Sequence, residues 1–330
     1  MEIKIPYYED NTRLNNSALG WFLISPSYFK RKIDGTVDSE STKAMDNGTM
    51  IHEYLLQPHE FWKDYQILDF VKPSTPQQKQ FCDLYIASTA NKAKIKAIEA
   101  FKGAYSTSGK SEEKIATESL EMALKLKSYI KYLRLQNSKT LISWADYNKL
   151  KLIKENVILH KKANELLFNN TPSSDCIINN EFHINWVFPK EYYNIKIDCK
   201  SLLDRLIIDH ENKKITLVDI KTTSSIKDFS DSVIKYDYYR QMSFYWYAIV
   251  WYFKEELKLD IEEYKQETYI VAIQTNDNYE VKVFKLQDEK IVEKIQIIAD
   301  IISDICWHHS TNNWDYSRDY YEGDGSEILK

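Results

Sequence analysis

No apolar run in the 330 residues approaches the roughly 18 needed to cross a bilayer; the longest, WYAIVWYF from Trp246 to Phe253, has eight. The opening MEIKIPYYED has neither the basic start nor the apolar stretch of a signal peptide, so a cytoplasmic protein is expected. Four cysteines, Cys82, Cys176, Cys199 and Cys306, stand far apart without a C-x-x-C pair. That excludes zinc-ligand spacing and argues against a disulfide framework. Seven glycines beside 24 tyrosines, with abundant Lys, Asn and Ile, point to an AT-rich coding genome and say nothing about chemistry. No internal repeat is visible. Hydrophobic content of 43% and charged content of 28% are those of an ordinary globular chain with a sizeable core.

The net charge of −5 argues against a generic nucleic-acid coat, but the charge is unevenly spread. Residues 86–170 hold 16 Lys/Arg and 8 Asp/Glu, a local +8, which leaves −13 for the rest. Such a split suits a protein whose bases meet phosphate and whose acids hold metal. Solvated lysines on helix faces would give the same count.

Along the chain, NNSALGWFLISPSYFKRKI predicts a short helix capped near Asn16 or Ser17, stopped before Pro26 and followed by a second helix. DNGTMIHEYLLQP predicts another, with Asn47 as N-cap and Pro58 closing it. From Thr75 to Asn169 the apolar spacing is helical without strand alternation, with a loop at AYSTSGKS. After NNTPSSD the texture changes. CIINNEFHINWVF, YNIKIDCKSLLDRLIID and KKITLVDIKTT read as strands, joined by PKEYY and the turn HENK. A long helix is expected from Asp237 to Leu257, then a hairpin of ETYIVAIQT and YEVKVFKL around NDN. A last helix runs from Asp288 to Trp307, and the acidic tail from 308 to 330 is expected to be loose. The order fits one α/β core with a helical insertion: a single domain over 1–330, with N-terminal helices at 15–70, a basic helical block at 75–170 and the sheet with its C-terminal helices at 176–307.

Side chains two apart on a strand share a face, so Asp219 and Lys221 in KITLVDIK project together. The turn at His210 to Lys213 brings Asp204 alongside. Left unpaired in a half-buried place, such charges cost several kcal/mol. A hard divalent cation on the carboxylates removes that penalty. A structural Asp–Lys ion pair is the plainer account of the same spacing.

This arrangement resembles the PD-(D/E)XK nuclease superfamily, whose signature is an acid, a hairpin and then acid-x-Lys. Asp204 matches the first acid, and DIK (Asp219, Ile220, Lys221) the second element. In QMSFY, Gln241 and Tyr245 match the Q-x-x-x-Y pattern of the RecB-like and lambda-exonuclease-like branches and share a helix face at i and i+4. A surface Gln241 and a core Tyr245 would show the same spacing. GTMIH places Gly48 and His52 as in G-x-x-x-H, where the histidine adds a nitrogen ligand; a satisfied core histidine is the rival account. With EYLLQPHEF, SALGWFLISPSYFKRKI and ISWADYNKLKLIKENVILHKKANELL, the match is nearest the RecE-type exonuclease VIII group. Glu181 in NEFHINWVF matches an acidic position that starts the first core strand. The resemblance covers most of residues 15–255 and is weakest from about Pro76 to Lys139, to which no role is assigned.

The resemblance implies a restriction-endonuclease-like core, with a central mixed sheet flanked by helices, and a Mg²⁺- or Mn²⁺-dependent phosphodiesterase acting on DNA. His52, Asp204, Asp219 and the carbonyl of Ile220 are the implied metal ligands. Lys221 orients or deprotonates the attacking water, Glu181 holds a second metal through water, and Gln241 and Tyr245 position the nucleophile or strand. Ser17, Ser25, Lys30 and Arg31 are the implied DNA contacts at a strand end, and the basic block lines the approach of the duplex. The expected activity is exonucleolytic on linear double-stranded DNA, leaving 5′-phosphates, in a recombination or repair setting of phage-like character. A site-specific endonuclease and a non-catalytic DNA-binding or assembly module on the same fold are the alternatives. Implied partners are double-stranded DNA ends, further copies of the chain in a ring, and a single-strand annealing protein; no membrane is involved. Two departures stand out: Leu203 replaces the proline before the first acid, and Cys306 stands alone late in the chain, so no iron–sulfur cluster is expected.

Overall fold

The helical and strand patterns translate into 14 α-helices and seven strands among the described residues of a computed structural model. The structure describes residues 7, 10–37, 42–67, 70–134, 139–168, 175–189, 197–276 and 278–327. The joints expected in NNTPSSD and PKEYY and the middle of the NDN turn lie wholly or partly outside these residues.

In chain order the elements begin with α1 (Asn16–Ile24), α2 (Pro26–Ile33), α3 (Lys43–Leu56), α4 (Pro58–Asp64) and β1 (Tyr65–Ile67). Then come α5 (Pro76–Ala87), α6 (Ala93–Ala104), α7 (Glu112–Lys125), α8 (Lys127–Arg134), β2 (Thr140–Ile142), α9 (Trp144–Leu159) and α10 (Lys161–Leu167). The sheet strands β3 (Cys176–Phe188), β4 (Ile197–Asp209) and β5 (Lys214–Thr223) lead into α11 (Phe229–Lys235) and α12 (Tyr238–Tyr252). A π-helical turn (Phe253–Leu257) precedes β6 (Lys265–Gln274), β7 (Val281–Lys285), α13 (Asp288–Thr311) and α14 (Arg318–Glu322). No helix among the described residues is long and apolar enough to cross a membrane.

Several boundaries differ from expectation for local chemical reasons. Asn15, rather than Asn16 or Ser17, caps α1, its side chain accepting the Ala18 amide at 2.8 Å. Thr42 caps α3 through the Met45 amide, so the helix starts before Asn47, which lies inside it. Pro58 opens α4, where its missing N–H costs nothing. The stretch expected to be wholly helical contains β2, which pairs in parallel with β1 through Tyr65–Thr140, Gln66–Leu141 and Ile67–Ile142. α11 was not anticipated, and α14 gives the tail a helical turn.

The chain divides into two compact units, one of residues 1–58 and 152–330 and the other of residues 59–151. The second unit packs α5 to α8 around Phe81, Cys82, Ala97, Phe101, Ile115, Leu126 and Ile130. The first holds a five-stranded mixed sheet in the order β3-β4-β5-β6-β7, with β5 and β6 parallel and the other pairs antiparallel. Strand β5 is central, which explains its near-continuous apolar run. Ile215 and Leu217 on one face join Leu206, Ile208, Ile270 and Ala272 under Met242, Phe244 and Ile249 of α12 and Ile298 and Ile302 of α13. Val218 and Ile220 are equally buried on the opposite face, where α3 packs against β4 and β5.

The ladder between β4 and β5 runs from Asp209–Lys214 to Arg205–Val218 and stops there. Beyond it the N-terminal half of β4 takes Leu14 as a neighbour: Leu14 donates to the Asp198 carbonyl and accepts from the Lys200 amide. The buried Lys200 ammonium donates to the carbonyls of Tyr7 and Asp10 and pins this segment. The splayed end of the hairpin is where the charged residues gather.

Candidate active site

Asp204 sits one residue past the last β4–β5 pair, and its carboxylate replaces the missing ladder bond. Its Oδ2 accepts the Ile220 amide at 2.7 Å. On the other side of β4, the β3 register passes from Asn180–Arg205 to Phe182–Leu203 without pairing Glu181 to Asp204. Glu181 has φ +46, a left-handed backbone uncommon for a side chain of this size. Such strain persists where the surroundings impose it, and functional sites are common among those places. Glu181 therefore lies within β3 rather than at its start.

His52 comes from α3, with Nδ1 3.5 Å from Asp204 Oδ2. Gly48, one turn earlier, lets the helix approach β5: a Cβ there would lie 3.4 Å from Thr222 Oγ1. The end of α3 is tied down by a residue pair that sequence reasoning did not assign to the site. Asn180 donates to the Leu56 carbonyl at 2.8 Å while accepting from Arg205 at 2.6 Å. Nothing in their residue types distinguishes that duty from ordinary surface pairing.

Donor atoms of His52, Glu181 and Asp204 all lie within 4.8 Å of one another, and this trio could hold a metal ion. Of the expected ligands the trio contains His52 and Asp204; it adds Glu181 and does not include Asp219 or Ile220. Asp219 stands beside the trio, with Oδ2 2.6 Å from Lys221 Nζ and Oδ1 accepting from Gln241 at 3.4 Å. The expected Ile220 contact is divided: its amide serves Asp204, and its backbone also hydrogen-bonds His52. Gln241 further donates to the Tyr245 hydroxyl at 2.8 Å, so the two α12 residues act as one unit facing Asp219. Tyr238, at the start of α12, places its ring 5.1 Å from Lys221 Nζ; sequence reasoning missed this cation–π neighbour.

The electrostatics follow from crowding carboxylates in a buried place. Burial first, then the charges of Asp204, Glu53 and Asp219, push Glu181 up to about 8. Burial raises Asp219 to about 6, with Lys221 opposing and Asp204 adding to the rise. Asp204 is likewise raised by burial, against the pull of Lys221 and the Ile220 amide. Burial and the Lys221 charge lower His52 to about 4, leaving a neutral imidazole with a free lone pair at pH 7. Burial pulls Lys221 down, but Asp219 and Asp204 outweigh it and hold the ammonium above its ordinary range. Burial, with Asp219 and Asp204, keeps the Tyr245 phenol protonated.

The donor chemistry fits a divalent cation. Two carboxylates and a neutral imidazole converge, and repulsion among the acids is a penalty that a double positive charge removes. Such a cluster beside a lysine can bind and polarise a phosphate ester.

Two of the four expected DNA contacts are engaged within their own helices. Ser25 caps α2 by accepting the Tyr28 amide at 3.0 Å, and Lys30 pairs with Asp34 at 2.6 Å. Ser17 and Arg31 are exposed on α1 and α2. α1 is joined to α12 by buried Arg240, which donates to Asn16 at 3.2 Å.

No family model matches the sequence. No curated protein matches it either. Among solved structures, SSO0001 aligns over 69% of this chain and 83% of its own, with 13% identity and a TM-score of 0.24. A "Putative exonuclease" from Eubacterium rectale aligns over 100% of this chain and 95% of its own, with 10% identity and a TM-score of 0.50. At that identity the likeness is one of fold alone.

Proposed function

We propose that this chain is a metal-dependent deoxyribonuclease of the PD-(D/E)XK type, similar to the RecE-type exonucleases, that degrades linear double-stranded DNA from its ends. The observation that carries this reading is the meeting of His52, Glu181 and Asp204 with the Asp219–Lys221 pair at one splayed hairpin end. A structural ion pair needs only Asp219 and Lys221. Three more ionisable groups crowded beside it raise the cost of folding and have no packing purpose.

His52, Glu181 and Asp204 would hold Mg²⁺ or Mn²⁺, with Asp219 as the adjoining acid. When bound, the cation lowers the pKa of a coordinated water and stabilises charge on the scissile phosphate. Lys221 presents its ammonium to the attacking oxygen or the phosphate, steadied by Asp219 and the face of Tyr238. Gln241 fixes the orientation of the Asp219 carboxylate, and Tyr245 keeps a hydroxyl proton available beside it. Displacement of the 3′-oxygen yields a 5′-phosphate and a 3′-hydroxyl. Ser17 and Arg31 are offered as phosphate contacts. Recombination or repair at DNA ends, with further copies of the chain and an annealing protein as partners, is the setting this activity suits.

The test is incubation of pure protein with linear and covalently closed circular plasmid, with and without Mg²⁺. Wild type should consume the linear form only, and Asp219→Asn should abolish the activity while leaving the fold intact. Equal digestion of closed circles would replace the exonuclease with an endonuclease. No metal-dependent cleavage of either form would leave a binding module.

A further inference from the structure

Six of the eight tryptophans are buried or half-buried, whereas Trp62 and Trp144 expose 40% and 54% of their surface. Both lie in the second unit, and both pack on the same tyrosine. The Tyr147 ring lies 5.5 Å from Trp62 and 6.0 Å from Trp144, centroid to centroid, with interplanar angles of 62° and 66°. Local structure explains the gathering. Trp144, Tyr147 and Lys151 follow one another at i, i+3 and i+7 along α9, so they share a face. Ser143 starts that helix: it accepts the Asp146 amide at 3.0 Å and donates to the Asp146 carboxylate at 2.6 Å. The parallel pairing of β1 with β2 draws the end of α4, and with it Trp62, to the start of α9. Lys139 completes the tie by donating to the Trp62 carbonyl at 2.6 Å.

The rim is cationic. Lys151 Nζ stands 5.2 Å over the Tyr147 ring, and Lys149 exposes half its side chain while pairing loosely with Asp146 at 3.4 Å. The whole unit, residues 59–151, carries 16 Lys/Arg against 10 Asp/Glu, an excess of six cations in a chain whose total is −5. Exposed indoles beside a tyrosine and lysines form a surface that takes flat rings through their faces and anions at its edge. A nucleic acid strand with unpaired bases offers both, whereas in a duplex the base faces are already stacked. An aliphatic protein surface would have no use for the lysines.

We propose that Trp62, Tyr147 and Trp144 form a stacking platform for the bases of single-stranded DNA, with Lys149 and Lys151 meeting its phosphates. The choice of DNA over RNA rests on the nuclease reading above; the platform itself does not depend on the chemistry at Asp204 and Asp219.

The experiment measures binding of the full chain to a labelled thymidine oligonucleotide of about 20 residues, and to a blunt duplex of equal length, in EDTA. Trp144→Ala should weaken oligonucleotide binding on the order of 5- to 100-fold, and Trp62→Ala/Trp144→Ala further. Duplex binding should change by about 2-fold or less, since its bases are not free to stack. Trp62→Phe/Trp144→Phe keeps flat faces and should retain most of the affinity, which separates stacking from a folding defect. Lys149→Ala/Lys151→Ala should reduce the slope of log affinity against log salt by roughly 1.4. The proposal is overturned by an unchanged oligonucleotide affinity in the alanine variants, or by equal losses for oligonucleotide and duplex. It is also overturned if the variants lose only self-association, which would make the patch a contact between copies. A tighter hold on an RNA oligonucleotide than on the DNA one would reject DNA as the occupant. Failure of wild type to cleave DNA with Mg²⁺, scored separately, speaks against the nuclease reading and leaves the binding result standing.

Discussion

Glu181 gives the candidate centre a measurable signature, because burial and three neighbouring acids hold its carboxyl at about 8. At pH 7 that side chain is about nine-tenths protonated in protein freed of metal by EDTA, whereas Asp219, at about 6, is about one-tenth protonated and His52, at about 4, is neutral. A divalent cation needs the carboxylate, so binding at pH 7 should expel about one proton per ion, falling to about 0.1 at pH 9. Apparent affinity should rise roughly tenfold per pH unit between 6 and 8 and then level off. Calorimetric titration with Mn²⁺ in buffers of differing ionisation enthalpy counts the protons directly. Glu181→Gln should remove the release and weaken the ion by roughly 10- to 100-fold.

Stability links to the same group with the opposite sign. The folded pKa of Glu181 lies above its unfolded value of about 4.3, so the folded state holds the extra proton between those limits. Its contribution is fully present below pH about 4.3 and is lost as pH rises toward 8, by up to roughly 1.4 kcal/mol per pH unit. Protein in EDTA should therefore lose melting temperature over that range relative to Glu181→Gln, and Mn²⁺ should restore most at the alkaline end. Proton release that is absent, or identical in Glu181→Gln, would refute the assignment of Glu181 to the ion.

Three further outcomes follow from named contacts. Lys221→Ala should slow cleavage by roughly 10²-fold or more with ion binding retained; Tyr238→Leu should slow it less and Tyr238→Phe hardly at all, and equal rates for all three would remove the lysine from the chemistry. Gly48→Val should force α3 off Thr222, costing roughly 1–3 kcal/mol and weakening Mn²⁺ by displacing His52, whereas Gly48→Ala should be near neutral; unchanged ion affinity in the valine variant would count against His52 as a ligand. Glu267 lies between Lys214 at 2.7 Å and Lys265 and Lys285 at 3.0 Å, with the Tyr269 hydroxyl donating at 3.0 Å. Burial opposes its ionisation, but those partners hold it far below the usual carboxylate range, so its stabilisation is present above pH about 4.3 and lost as pH falls. Glu267→Gln should cost roughly 1–3 kcal/mol at pH 7, and the gap to wild type in chemical denaturation should narrow in acid.

What was legible in the sequence depended on how far each signal reaches. The strands around Asp204 and Asp219 announce themselves because a buried strand needs β-branched residues and period-two charges at its end. β1 and β2 carry no such pattern. Each is three residues long and is stabilised by a partner about 75 positions away, so neither is visible locally. Helix starts shifted for a related reason: Asn15 and Thr42 are single side chains reaching single amides, and neighbouring Asn16, Ser17 and Asn47 offer the same chemistry. Only geometry chooses among them.

At the site the same limit appears in sharper form. Period two placed Lys221 on the same strand face as Asp219, and that closeness lets the lysine occupy one oxygen of the acid at 2.6 Å. Glu181 could not be promoted from sequence, because its place among the donors depends on a left-handed residue inside a strand. Residue type gives no warning of that, since the irregularity shows only in the pairing with β4, which passes from Asn180–Arg205 to Phe182–Leu203 and leaves Glu181 unpaired in the ladder. The charge pattern nevertheless constrains the outcome: His52, Glu181, Asp204, Asp219 and Lys221 form a set with three acids against one fixed cation, an excess of negative charge in a buried place. Raised carboxyl pKa values are the chain's own means of reducing that excess, and a divalent cation is the other. The two compete for the same oxygens, and that competition is why proton release is the measurement that discriminates between a metal centre and an elaborate ion pair.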